Sequence, residues 1–384
     1  MKTLFQPQQT STSFVPARFR PRGQTTHSIS AMPAPATIIA ALLFLSLPAP
    51  LRAQFAYVAN ADSGNVSAYS IDSNGILTPV PGMPFAAGVE PFAVAVDHMA
   101  KFAYVVNLVG NDVSAYSIGP QGALTPVPGS PFAAGIAPVS VAVDPTAKFA
   151  YVANFGANNI SAYSIDANGA LTPIAGSPFA AGVAPVSVAI GPTAKFAYVA
   201  NKVSNNVSAY RIGSQGTLTP VPGSPFAAGI GPVSVVVDPM GRFAYVVNEG
   251  GEGVSAFSIG LDGALTPIPG SPFAAGSDPV KVTVDPTGKF VYVTNEVSNN
   301  VSAYSIGLDG ALTPIPGSPF PAENGPFSVA VDPAGKFAYA TNKVGNNVSA
   351  YSIGSNGVLT PVAGSPFASG IEPFSLAITP AFPK

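Results

Sequence analysis

Cysteine and tryptophan are absent from this 384-residue chain, and histidine occurs only twice. Without cysteine there are no disulfides, no thiolate metal ligands and no cysteine nucleophile. Charge is scarce as well. Only 9% of the residues are charged, against roughly 25% in an ordinary soluble domain. The formal net charge of −2 gives no electrostatic basis for binding nucleic acid. Helix is disfavoured by 42 prolines and 39 glycines, because proline costs about 3 kcal/mol in a helix interior. What is plentiful is apolar. At 47% hydrophobic content, rich in β-branched and aromatic residues, the chain can bury a large core and does not read as disordered.

The small net charge hides a division. Lys2, Arg18, Arg20, Arg22 and Arg52 make the first 54 residues basic, with no acid among them. A mostly apolar run, Ala36 to Leu47, follows, and then Pro-Ala-Pro-Leu-Arg-Ala-Gln. A basic region, a short apolar core and an alanine-ended site have the form of a secretory signal peptide. Twelve residues are too few to span a bilayer comfortably. Cleavage is expected after Ala53, and Met32 is an alternative start. Residues 1–54 are thus expected to be a leader and 55–384 the mature domain. Its destination would be the periplasm, the medium or the cell surface, with no transmembrane span left after cleavage.

A repeat organises the rest. The motif Tyr-Val-x-Asn, or a near variant, ends at Asn60, Asn107, Asn154, Asn201, Asn248, Asn295 and Asn342, in steps of 47 residues. One period holds four runs with strand composition, such as Val139–Val143, Phe149–Ala153, Ile160–Ile165 and Ala170–Ile174. Asp-Pro and Asn-Gly pairs between them favour tight turns. Four strands on short links make an antiparallel meander, here called A to D. Strand D carries proline, which cannot donate to a ladder, so D belongs at an edge. Strands A and B are apolar on both faces and need cover on both.

Repeated meanders buried on both faces make a β-propeller. The first copy begins at strand B, with Phe55, and the last stops after strand A, at Ile378. The expected fold is all-β: a closed seven-bladed propeller whose last blade is shared between the chain ends. The Tyr-Val-Ala-Asn, Tyr-Val-Val-Asn and Tyr-Val-Thr-Asn segments resemble the YVTN family of propellers. That family is related to the lactonase-type seven-bladed propellers, which include 6-phosphogluconolactonase and the carboxymuconate cycloisomerases. The resemblance covers residues 55–379. It implies lactone chemistry in a top-face pocket that uses His, Arg and Glu side chains.

In such a ring the D–A and B–C links share one face, the top. Positions that break the repeat there are the candidates for recognition. The busiest sector gathers Glu249, Glu252, Asp278, Lys281 and Glu296, with Glu323 and Lys343 next along. Carboxylates near a lysine could activate water, with Glu249 or Glu296 as base, or hold a divalent cation such as calcium. Otherwise no cofactor is indicated. The same residues could simply be exposed ion pairs, worth under about 1 kcal/mol each. His98 falls in a bottom turn, so no Ser-His-Asp set can assemble on top.

Two functions fit. One is an exported module that binds a small molecule, glycan or protein through its top loops, as a monomer. The other is a lactone hydrolase. Nine acids against three lysines on the predicted top face would repel a phosphorylated substrate. The sequence alone therefore favours the binding module, with the hydrolase as alternative.

Overall fold

A computed structural model describes residues 54–380 apart from Glu252; the leader and its cleavage site lie outside these residues. Among the described residues there are strands and turns and no helix. The strands form seven antiparallel sheets, and the inner strand of each sheet neighbours the inner strands on either side, closing a ring. Blades 1 to 6 begin at Pro91, Pro138, Pro185, Pro232, Pro279 and Pro326. Blade 7 is composite. Its inner strand is Pro373–Ile378, and its remaining strands come from Gln54–Ala86. The register sets Tyr57 opposite Ala377 and Val58 opposite Leu376. Thr379 ends this latch: its N–H donates to the Phe55 carbonyl, and its hydroxyl accepts from the Phe55 N–H, both at 2.9 Å.

Strand D differs from the expected continuous edge. In blade 2 it is two pieces, Leu171–Pro173 and Phe179–Ala180, both paired with strand C. Pro173 has no N–H with which to continue the ladder. The chain makes a turn instead, and the Ser177 hydroxyl substitutes for a ladder partner by accepting from the Ala162 N–H at 2.9 Å. The repeated Gly-Ser-Pro-Phe segment is the sequence of this detour.

The core lies between blades. Seven apolar clusters each combine side chains from two neighbouring sheets. The motif residues explain the period. Each strand-B Tyr hydroxyl donates to a glycine carbonyl in the C–D turn of the next blade, as Tyr104 does to Gly169 at 3.1 Å. The Phe two residues earlier packs on that same glycine. A Cβ on Gly169 would lie 2.4 Å from the Phe102 ring, and its φ is +86°, so only glycine fits. The same bond from Tyr339 to Gly75, at 3.0 Å, crosses the join between the chain ends. Burial raises the pKa of these phenols and keeps them donors.

The motif asparagines are fully buried. Each of six donates to a side-chain oxygen five residues on and to the Ser hydroxyl seven residues on, as Asn154 does to Asn159 and Ser161. Asn154 also accepts from the Gly135 N–H at 3.1 Å. They tie the top loops together, which accounts for their repetition without a ligand.

Candidate functional site

The top of the central channel opens into a cavity of about 360 Å³. Two sets of side chains line it. One set follows the motif asparagine: Leu108, Phe155, Lys202, Glu249 and Glu296. Their backbones are held alike, since each N–H donates to a carbonyl in the adjoining D–A loop, as Glu296 does to Asp278 at 2.8 Å. The other set begins the inner strands. A register shift follows the first proline of each strand A, and the next residues face the channel.

The second of these channel residues forms a belt. The Ser140, Ser187, Ser234 and Ser375 hydroxyls each accept from a backbone N–H on the next blade's inner strand, at 3.2–3.3 Å. Lys281 occupies the belt position of blade 5. An ammonium has donors only, so it cannot accept from the corresponding Val329 N–H, and the belt breaks there.

Charges at the mouth span four consecutive blades. Lys202 of blade 3 pairs with Glu249 of blade 4, in contact at ion-pair range without hydrogen-bond alignment. Lys343 of blade 6 pairs with Glu296 of blade 5 at 3.6 Å. Asp278 stands between the two glutamates. Its pKa is raised by burial and then by the Glu249 carboxylate, which lies within hydrogen-bonding reach. Glu296 is raised mainly by burial; Lys343 opposes the shift and Asp278 adds to it. Lys281 has no carboxylate within ion-pair distance among the described residues. Part of its surface faces the cavity, yet protein surrounds it, and that enclosure lowers its pKa.

Of the residues singled out from the sequence, Glu249, Lys281 and Glu296 line the cavity and Asp278 and Lys343 adjoin them. Glu252 lies outside the described residues. Glu323 does not join the group. It is exposed and stands where the other copies have glycine. Lys202, which also breaks the repeat, belongs to the cluster although its sequence position did not place it there. Phe92, Phe327 and Phe374 replace valine at the first channel position and were not among the residues singled out from the sequence. Phe92 and Phe374 stack at 4.6 Å, and Phe327 meets Phe374 edge-on at 4.8 Å. The Lys343 ammonium lies 5.0 Å from the Phe374 ring centre. The repulsive top face expected from the acid count does not describe the cavity, whose lining carries two carboxylates and two ammonium groups. No group of three or more His, Asp or Glu among the described residues is arranged to hold a metal ion.

Residues 36–315 and 231–381 match a family model described as lactonase, seven-bladed β-propeller. The chain belongs to this lactonase family. No curated protein matches the chain, but solved structures do. A candidate 6-phosphogluconolactonase from Bacteroides fragilis is 21% identical, with a TM-score of 0.74 over 85% of this chain and 98% of that one. The periplasmic gluconolactonase of Pseudomonas aeruginosa is 18% identical, with a TM-score of 0.73 over 85% and 99%. The hydrazine synthase of Kuenenia stuttgartiensis is 20% identical, with a TM-score of 0.58 over 81% and 98%. At such identities the shared property is the fold, and activity must be argued from the lactonase-family channel itself.

Proposed function

We propose that the protein hydrolyses a lactone at the channel mouth, with Glu296 as general base and Lys281 as electrophile. One observation carries this: a carboxylate and an ammonium that has no carboxylate partner among the described residues line the same cavity, in a chain of the lactonase family. Burial and the neighbouring Asp278 make Glu296 a stronger base than an ordinary glutamate. Lys281 is the one lining cation free to meet developing negative charge, because Lys202 is engaged by Glu249. In this scheme Glu296 takes a proton from water as the water oxygen bonds to the lactone carbonyl carbon. Lys281 stabilises the oxyanion. The ring C–O bond then breaks, and the proton held by Glu296 passes to the departing alkoxide. The product is a hydroxy acid.

The binding module is the second function. One feature favours it: both lining carboxylates already hold lysine partners. Family membership weighs the other way. Titrating the acid released from neutral lactones separates the two. Wild type should release acid above the buffer rate, and Lys281→Gln and Glu296→Gln should each lower the enzymatic rate by about 10²-fold or more. Ligand binding without acid release would leave only the module.

A further inference from the structure

We propose that the cavity selects a flat apolar ring, so that the substrates are aryl or similarly hydrophobic lactones rather than polyhydroxylated sugar lactones. This deepens the hydrolytic function proposed above and rests on it. The cavity has two unlike sides. On blades 6, 7 and 1 the first channel position is Phe327, Phe374 and Phe92, whereas blades 2 to 5 have valine there. Three adjacent copies depart from the repeat in the same direction. The rings are half-buried, so they belong to the cavity wall rather than to a blade interface.

Lys343 joins this wall to the charged side. Its ammonium lies 5.7 Å from the Phe327 ring centre, 5.0 Å from that of Phe374 and 3.6 Å from Glu296. A ligand ring lying on Phe374 and Phe327 is therefore next to the carboxylate proposed as base. An apolar ring gains by leaving water there. A sugar ring can lay only its C–H faces on phenylalanine, and hydroxyls held along that wall lose water without a polar partner there. Phosphate finds no arginine fork in the lining.

The test uses two hydrolysis-resistant probes, 3,4-dihydroquinolin-2-one and gluconolactam, titrated calorimetrically into the full chain. The aryl lactam should bind at least about tenfold more tightly than the sugar lactam. Phe374→Val and Phe92→Val each install the residue of four other copies. Each should weaken aryl binding by roughly tenfold, while Leu261→Ser in a fully exposed bottom turn should not change it. Melting curves establish that the variants fold, and Phe92→Val carries the test if the latch strand does not tolerate Phe374→Val. Equal affinity, sugar preference, unchanged aryl binding in both variants, or binding of neither probe would overturn the proposal. Aryl preference without acid release from any lactone would instead remove the hydrolytic function and leave an apolar-ring site.

Discussion

Replacing Asp278 by glycine should stabilise the protein while weakening its proposed base. Asp278 has φ +55°, a left-handed conformation that costs an ordinary residue about 1–2 kcal/mol. The same position is glycine in blades 4 and 6, where Gly231 and Gly325 have φ +64° and +67°. Glycine removes the strain but adds roughly 0.5–1 kcal/mol of chain entropy in the unfolded state. The backbone balance is a gain of about zero to 1.5 kcal/mol. Electrostatics adds to it in a pH-dependent way. Burial and Glu249 raise the folded-state pKa of Asp278, so the folded protein holds this proton more tightly than the unfolded chain. That advantage is complete below the unfolded pKa and is lost as pH rises through the folded value. Glycine has no proton to lose. Asp278→Gly should therefore gain on wild type as pH rises from about 4, near the unfolded value, through the raised folded value of Asp278. Urea unfolding followed by circular dichroism at both ends of that range measures the difference. A variant less stable at the alkaline end, or a difference that shrinks as pH rises, would refute the reasoning.

Two further predictions concern the ring. Six strand-C tyrosines donate to the preceding blade at 2.5–2.8 Å, whereas blade 4 has Phe257 there, buried. Phe257→Tyr should form the missing bond to the Ala227 carbonyl and raise stability by about 0.5–1.5 kcal/mol, measured against Tyr304→Phe, which should lose a similar amount. Deleting residues 373–384 removes the latch strand and bares the edge of Gln54–Asn60, so the truncated protein should aggregate; light scattering that shows a monomer with an unchanged melting temperature would contradict the closure.

The architecture was legible because one period carries its own docking chemistry. The Phe and Tyr of strand B and the glycine of the next C–D turn recur together, and they meet across every blade interface. The detour in strand D was not legible. Its proline announced an edge, but only the structure shows the Ser177 hydroxyl completing the ladder. At the site, Glu249, Lys281 and Glu296 stood out because they are charged residues at positions that break the repeat, Lys281 alone among serines and an alanine. Phe92, Phe327 and Phe374 did not, since phenylalanine for valine reads as another apolar strand residue. The register shift after each first proline, which aims that position at the channel, is a property of the ladder rather than of any one copy. The strain at Asp278 was hidden for a similar reason, because alanine, glutamate and glycine share its backbone conformation in other copies.

In the proposed hydrolysis Glu296 acts as a deprotonated base and Lys281 as a protonated electrophile in one cavity. The pH dependence of kcat/KM for an aryl lactone, with spontaneous hydrolysis subtracted, tests it most directly. A bell is expected. Its acid limb should lie above the ordinary glutamate range, because burial raises Glu296, and its alkaline limb below the ordinary lysine value, because burial lowers Lys281. Lys281→Gln should abolish the alkaline limb and Asp278→Gly should move the acid limb down. A profile without limbs, or limbs that neither substitution moves, would contradict the account.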